Sequence, residues 1–257
     1  MSAPRHTRPR PVPKDNELIC GVNPVLEALR SGRHVERLLV RRDAGGDALR
    51  EVKLLAYSRE VPWQPVPLEK LDRMTHTEHQ GVIALMSPVE EQDLNEVIDR
   101  IYAKGEIPLL VALDGVTDVR NMGAIARSAE CFGAHALVVA KHASARLGSD
   151  AVKSSAGALL RLPVCRVMDL QATIGSVQEH GLRVAAFSEK ATVDVTGADL
   201  SGPLMLVLGD EGEGISPPVL RLADLLVRIP MSGKLSSLNV SVAAGIALYT
   251  TALRRNA

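Results

Sequence analysis

The sequence is poor in aromatic residues. Its 257 residues include one Trp, three Tyr and two Phe. Proteins that bind RNA chiefly by stacking bases, such as those with an RRM-type sheet, need several aromatic side chains on one surface. The scarcity therefore argues against a protein built as an aromatic stacking platform.

The sequence also lacks net charge, because 30 Lys and Arg are balanced by 30 Asp and Glu. This balance argues against a histone-like or polybasic protein that is held to nucleic acid by bulk charge. The charges are unevenly distributed, however. Residues 1–16 hold four cations and one anion, residues 89–107 hold two cations and six anions, and residues 120–166 hold seven cations and two anions. The zero sum therefore hides regions that are locally basic and one that is locally acidic.

Cysteine is scarce, and the three thiols, Cys20, Cys131 and Cys165, are far apart in sequence. They form neither a disulfide framework nor a CxxC metal motif, so we expect reduced, buried thiols in a cytoplasmic protein. The HxxH pair His76 and His79 lacks a Cys partner or a third ligand, and we predict no metal site.

Long apolar runs are absent, and none approaches the roughly 18 residues that a membrane span requires. Residues 1–16 are rich in Pro and Arg without an apolar core, which is unlike a secretory signal. We therefore predict a disordered basic tail over residues 1–16, no membrane association and a cytoplasmic location.

The remaining sequence is predicted to form two α/β domains. The first domain spans residues 17–88, and its first helix is expected to begin with Asn23 as N-cap. Residues 89–107 are predicted as a linker whose short helix begins after Asp93. The second domain spans residues 108–257.

The second domain contains short apolar runs that alternate with helical stretches, which predicts a parallel sheet covered on both faces. The chain is expected to end in a long helix. The predicted strands are Leu109–Leu113, Ala136–Ala140, Pro163–Val167, Val184–Phe187, Leu204–Leu208 and Leu226–Ile229.

Three segments that follow predicted strands could carry chemistry. In the segment 113–127, Asn121 could cap the next helix and Arg127 lies near its middle. The segment 209–216 contains three glycines, which let the backbone approach a ligand closely. The segment 229–241 places Asn239 in the first turn of the last helix, which Ser236 or Ser237 could cap.

The order and spacing of these segments carry more information than any one of them. They read N-x-G-x-x-x-R at Asn121–Arg127, G-x-E-x-x-G at Gly209–Gly214 and I-P-M-x-G-x-x-x-S-L-N-V at Ile229–Val240. This set resembles the three motifs of the SpoU (TrmH) family, RNA 2′-O-ribose methyltransferases of the SPOUT superfamily. The first domain, with Gly21–Val25 and His79–Val82, is similar to that family's substrate-binding domain.

The resemblance implies a parallel sheet with a deep trefoil knot, a homodimer, and S-adenosylmethionine bound in the knot. It implies a cofactor pocket formed by Gly209, Ile229, Met231, Gly233 and Leu238. It also implies an active site formed by Asn121, Arg127, Glu211 and Asn239, with Ser237 nearby. The two-domain layout resembles members that methylate a guanosine of 23S ribosomal RNA.

In this chemistry Arg127 is expected to hold an RNA phosphate, because a guanidinium stays protonated and is a poor base. Glu211 is expected either to orient the ribose or to accept its proton. Three other interpretations stay open. They are a Rossmann methyltransferase or nucleotide-binding enzyme using the loop 210–216, a non-catalytic RNA-binding assembly factor, and a tRNA methyltransferase of the same family.

Overall fold

A computed structural model describes residues 18–43, 45–142, 144–235 and 237–255. The predicted disordered tail, residues 1–16, lies outside the described residues. The chain divides after Ser87 into two compact units.

The first unit is built on a mixed four-stranded sheet. Its order is β1-β4-β2-β3, with β4 antiparallel to β1 and β2, and β3 parallel to β2. Helices α1 and α2 pack on one face of this sheet, and α3 covers the other. The elements are β1 (Leu18–Cys20), α1 (Val22–Arg30), β2 (Val35–Arg41), α2 (Asp47–Ser58), β3 (Trp63–Val66), α3 (Leu68–Asp72) and β4 (Val82–Met86).

The start of α1 differs from the prediction. Gly21, with φ of 96°, is the N-cap residue, and Asn23 lies inside the first turn. The backbone N–H of Val22 is instead satisfied by the side-chain oxygen of Gln80, at 3.1 Å. A partner 58 residues away thus replaces the local cap that the sequence predicted.

The second unit contains a seven-stranded sheet in the order β7-β6-β5-β10-β8-β11-β9, and every strand pair in it is parallel. The predicted α/β class with a parallel sheet is therefore confirmed. Its elements are α4 (Leu94–Ala103), β5 (Leu109–Asp114), α5 (Val119–Cys131), β6 (Ala136–Ala140), α6 (Ser149–Ser154), β7 (Val164–Val167), α7 (Leu170–Glu179), β8 (Arg183–Phe187), β9 (Val193–Asp194), β10 (Leu204–Gly209), α8 (Pro217–Leu222), β11 (Leu225–Arg228) and α9 (Val240–Arg255).

The sheet of the second unit has a hydrophobic core on each face. Alternate residues of β5 illustrate the division, since Val111 packs in the cluster that includes α5 and α9, whereas Leu110 packs in the cluster that includes α4 and α7. Strands buried on both faces read as continuous apolar runs, which is why the sequence predicted them well.

The helix predicted within the linker packs against the second unit. Asp93 caps α4 as expected, accepting hydrogen bonds from the backbone of Asn95 at 2.9 Å and Glu96 at 3.1 Å. The apolar face of α4 is buried in one of the two cores of the second unit. The structure thus places this helix in the second unit.

The chain end is held by Arg255 at the end of α9. Its guanidinium donates hydrogen bonds to the carbonyl oxygens of Ile107 (3.0 Å), Pro108 (2.6 Å) and Gly202. These contacts fasten α9 to the start of β5 and to the turn before β10. The trefoil knot stays a prediction of the family resemblance.

The three thiols lie in different environments. Cys165 is buried, and burial raises its pKa to about 12. Cys20 is half-buried and Cys131 is exposed, so the expectation of three buried thiols is wrong for Cys131. In the described part of the chain, no helix is long and apolar enough to cross a membrane.

Candidate functional site

Three neighbouring strands of the second unit end at one edge of the sheet. Because β5, β10 and β8 are adjacent and parallel, their last residues, Asp114, Gly209 and Phe187, lie at the same edge. Ligands of open parallel sheets bind outside this carboxyl edge. Two of the predicted motif segments begin here.

The loop after β10 is shaped by Asp210. Its Oδ1 accepts hydrogen bonds from the backbone N–H groups of Gly212 and, at 2.8 Å, Glu213. The loop then returns so closely that a Cβ atom on Gly209 would lie 2.0 Å from the carbonyl carbon of Gly214. Only glycine fits at position 209, and the resulting tight loop presents Glu211.

Asn239 connects the three motif segments. Its Nδ2 group donates hydrogen bonds to Oδ1 of Asn121, at 3.1 Å, and to Oε1 of Glu211. Its Oδ1 accepts hydrogen bonds from the backbone N–H of Ser241, at 2.9 Å, and from the Ser241 hydroxyl. These four bonds use the full capacity of the amide and fix its orientation. We call Asn121, Glu211 and Asn239 the polar triad.

The helix caps around the triad differ from those predicted. Asp118, and not Asn121, caps α5, accepting hydrogen bonds from the backbone of Arg120 (2.6 Å) and Asn121 (3.2 Å). The side-chain hydrogen bond from Arg120, followed by these backbone bonds, lowers the pKa of Asp118. Asn121 therefore keeps its side chain for the triad.

Asn239 itself precedes α9 and bonds the backbone N–H of Ser241 as an N-cap residue does. The sequence had predicted a serine cap, with Asn239 inside the first turn. Ser236 lies outside the described residues. The same amide thus begins the last helix and holds the carboxylate of Glu211.

Arg127 is exposed in α5. It follows Asn121 by six residues, which places it about 120° away around the helix axis. Among the described residues it makes no hydrogen bond or ion pair. The structure therefore brings Asn121, Glu211 and Asn239 together, while Arg127 remains outside the triad.

A cavity of about 240 Å³ opens beside the Gly209–Gly214 loop. Four of the five residues predicted to bind the cofactor line it, as does Ser237, whereas Gly233 is not among its lining residues. Its wall also includes Phe187, the last residue of β8, and the next two residues, Ser188 and Glu189, none of which the sequence predicted. These residues reach the cavity because β8 pairs with β10 in the sheet, and this pairing is visible only in the folded structure. The four predicted residues are Gly209, Ile229, Met231 and Leu238.

A second cavity, of about 280 Å³, adjoins the first. It is lined by residues 115–118, by Asn121 and by Asp210, Glu211 and Gly212. The last three residues also line the first cavity. Glu211 thus lies at the junction of two cavities, a suitable position for a group that acts between two bound reactants.

The first cavity fits the chemistry of S-adenosylmethionine. Apolar side chains such as Leu208 and Ile229 suit the adenine ring, and the glycine-rich loop offers backbone hydrogen-bonding groups. The carboxylates of Glu189 and Asp210 suit a ligand that carries a sulfonium and an ammonium charge.

Within the described ranges, no group of three or more His, Cys, Asp or Glu side chains is placed to hold a metal ion. Both ring nitrogens of His79, from the HxxH pair, have partners within the protein. Its Nε2 lies 2.9 Å from Oδ1 of Asp72, and its Nδ1 accepts a hydrogen bond from the backbone of Gly81 at 3.0 Å.

Two family models match the chain. Residues 108–249 match the SpoU rRNA Methylase family, and residues 18–92 match the RNA 2′-O ribose methyltransferase substrate binding family. A Bacillus subtilis (strain 168) protein, YacO, provisionally named a TrmH family tRNA/rRNA methyltransferase, is 35% identical over 243 residues. The alignment covers 95% of this chain and 98% of YacO.

Solved structures agree with this assignment. The SpoU methyltransferase AviRb from Streptomyces viridochromogenes, in complex with AdoMet, is 30% identical with a TM-score of 0.59, over 92% of this chain and 89% of AviRb. The A. aeolicus TrmH/SpoU tRNA modifying enzyme is 28% identical with a TM-score of 0.54, over 63% of this chain and 84% of that one. These findings rule out the interpretation as a Rossmann methyltransferase. The chain belongs to the SpoU (TrmH) family of RNA methyltransferases, which use S-adenosylmethionine as methyl donor.

Proposed function

We propose that this enzyme methylates a ribose 2′-hydroxyl of RNA, and that its target is a guanosine of 23S ribosomal RNA. One observation carries the proposal: the polar triad places the Glu211 carboxylate at the junction of two adjoining cavities. The first cavity would hold S-adenosylmethionine, and the second would hold the ribose. When bound, the cofactor supplies an electrophilic methyl group on its sulfonium.

Each triad residue has a role in this scheme. Asn239 holds Oε1 of Glu211, which leaves Oε2 to accept the hydrogen bond of the 2′-hydroxyl. Asn121 accepts from Asn239 through Oδ1, which leaves its Nδ2 group to donate to the ribose. As the 2′-oxygen gains the methyl group, its proton passes to Glu211.

Arg127 is assigned to the RNA phosphate. Its exposed guanidinium has no carboxylate partner among the described residues, and such a group binds phosphate through two parallel hydrogen bonds. It remains protonated throughout, so it stabilises charge and positions the nucleotide while Glu211 takes the proton.

The enzyme is proposed to act as a homodimer through α9. Val242, Tyr249 and Leu253 are each about half exposed and lie within about 40° of one another around the helix axis. An exposed apolar stripe of this kind suits an identical stripe across a two-fold axis. Because α9 packs against α5, this interface would lie close to the helix that carries Arg127.

Ribosomal RNA is favoured over transfer RNA by the extent of the matches. The A. aeolicus tRNA modifying enzyme aligns with only 63% of this chain, whereas the family model that matches residues 108–249 describes rRNA methylases. The first unit, matched by the substrate-binding family, would then contact the ribosomal RNA. An RNA substrate of this kind also suits the proposed cytoplasmic location.

The proposal is tested by methyl transfer from labelled S-adenosylmethionine to unmodified 23S rRNA and to unmodified tRNA. We expect label in 23S rRNA, with a ribose-methylated guanosine after nuclease digestion and mass spectrometry. Label in tRNA alone would replace the proposed substrate and keep the chemistry. A methylated base would contradict the ribose assignment, and no transfer to either RNA despite cofactor binding would favour the non-catalytic alternative.

A further inference from the structure

One exposed surface of the first unit combines aromatic rings with cations. It consists of Arg50, Leu54 and Tyr57 and the half-buried Lys53 on α2, and of Trp63 on β3. We call this the α2–β3 surface. Its residues all belong to the first unit, whereas the residues of the site described above all belong to the second.

The helix geometry places the four α2 residues together. At 100° per residue they lie within an arc of about 100°, which is separate from the arc of the buried residues of α2. Tyr57 is 84% exposed and Leu54 is 66% exposed. Strand β3 is the edge strand of the sheet, and its Trp63 is 43% exposed.

A lysine lies over the tryptophan ring. The Nζ atom of Lys53 lies 4.9 Å from the centroid of Trp63, and Lys53 and Tyr57 are neighbours on the helix surface at i and i+4. Nearby acidic residues are already engaged, since Glu51 pairs with Arg30 and Asp47 with Arg50. Lys53 itself forms no ion pair with any described residue.

The composition of this surface indicates what binds it. A protein partner would favour an apolar centre with few charges, whereas here an unpaired ammonium is in contact with the ring of Trp63 and next to Tyr57. Aromatic rings beside Lys or Arg suit an unpaired nucleotide, whose base stacks on the ring while its phosphate meets the cation. The RNA substrate of the family supplies such a ligand.

We propose that the α2–β3 surface binds an unpaired base of the RNA substrate, with Tyr57 and Trp63 as stacking partners and Lys53 as the phosphate contact. The inference rests on the proposed function for the identity of the RNA. It also modifies the initial expectation, which was that the scarcity of aromatic residues argues against RNA binding by base stacking. The rings are few, but Tyr57 and Trp63 are exposed next to a cation.

The test uses the full chain and two probes, a single-stranded 12-residue oligoadenylate and an RNA duplex of the same length. Trp63 is the only Trp of the sequence, so quenching of its fluorescence reports binding at this surface. Loss of one stacked base weakens RNA binding by roughly 5- to 150-fold. Tyr57→Ala should therefore raise the Kd for oligoadenylate about tenfold, and Tyr57→Phe should restore it.

Lys53→Met should weaken oligoadenylate binding and reduce its salt dependence, because one phosphate contact is lost. Leu68→Ala is the matched control, since Leu68 is an exposed apolar residue on α3, on the opposite face of the same sheet. Leu68→Ala should leave the affinities for oligoadenylate and for the RNA duplex unchanged. Duplex binding should be little affected by Tyr57→Ala, because paired bases cannot stack on these rings.

Methyl-transfer kinetics separate this inference from the proposed function. Tyr57→Ala should raise KM for RNA and leave kcat and cofactor affinity unchanged. Oligoadenylate affinity within twofold of wild type in both Tyr57→Ala and Lys53→Met would overturn the inference, whatever the enzyme methylates. A monomeric Tyr57→Ala variant of a dimeric wild type would also overturn it, by assigning the surface to a second copy. If the wild-type protein methylates no RNA but Tyr57→Ala still weakens oligoadenylate binding, the inference about the α2–β3 surface is supported and the proposed function is contradicted.

Discussion

At the scale of single residues, Asn239 performs two tasks with one amide. Its oxygen begins α9 by bonding Ser241, and its nitrogen holds both Glu211 and Asn121. An aspartate could perform the first task, since it also accepts hydrogen bonds, but it could not donate to Glu211. The two tasks can therefore be separated by substitution.

Asn239→Asp should keep the cap of α9 and lose activity, because a second carboxylate would repel Glu211. Asn239→Ala should lose both, with about 1 kcal/mol less free energy of unfolding from the missing cap. The measurements are kcat at saturating RNA and urea unfolding followed by circular dichroism. An Asn239→Asp enzyme with wild-type kcat would show that the Glu211 contact has no role in catalysis.

The sequence located these site residues only through the family resemblance. Asn121 and Asn239 are 118 residues apart, and no periodicity or composition joins them. The local signals were less reliable, since the sequence predicted Asn121 as the cap of α5, whereas Asp118 caps that helix in the structure. Motif matching also has a limit, as Gly233 illustrates. This residue matches the family motif, but it does not line the first cavity in the structure.

At the scale of helices and strands, the burial of a strand decides whether it could be predicted from the sequence. The interior strands of the second unit are covered on both faces, so Ala136–Ala140 was predicted with its observed bounds. The three-residue strand β1 and the two-residue strand β9 were not predicted, because strands so short and on the edge of a sheet carry little apolar pattern. Their positions depend on neighbours distant in sequence.

The contacts of Arg255 fasten the last helix to the sheet, and they should contribute measurably to stability. Burial lowers the pKa of this guanidinium, yet it bonds three carbonyl oxygens. Arg255→Met keeps the apolar stem and removes these bonds. We expect it to lower the free energy of unfolding by about 2 kcal/mol.

The control for Arg255 is its neighbour. Arg254 is exposed and bonds one carbonyl, that of Thr196, so Arg254→Met should cost less than half as much in urea unfolding. Equal costs for the two substitutions would show that Arg255 is not the main fastening of α9.

At the scale of the whole molecule, zero net charge is compatible with RNA binding because the cations are not all neutralised in place. Among the seven cations of residues 120–166, three form ion pairs, namely Arg120, Arg161 and Arg166. The others form none with the described residues, and they remain available to phosphate: Arg127, Lys141, Arg146 and Lys153.

The molecule separates its tasks between two units. The second unit brings three distant motifs to one edge of a parallel sheet and builds two adjoining cavities there. The first unit carries the α2–β3 surface, which we propose as the binding surface for an RNA strand. Recognition and chemistry can therefore be altered independently, which is the basis of the variants proposed above.

The role of Glu211 is the central claim, and single-turnover methyl transfer by Glu211→Gln tests it most directly. Glu213→Gln is the matched control, because Glu213 lines the first cavity and not the second. We predict that Glu211→Gln lowers the transfer rate at least 100-fold at saturating RNA and cofactor, with the cofactor Kd within threefold of wild type. Glu213→Gln should transfer within threefold of the wild-type rate. A Glu211→Gln enzyme that transfers methyl groups as fast as wild type would contradict the account.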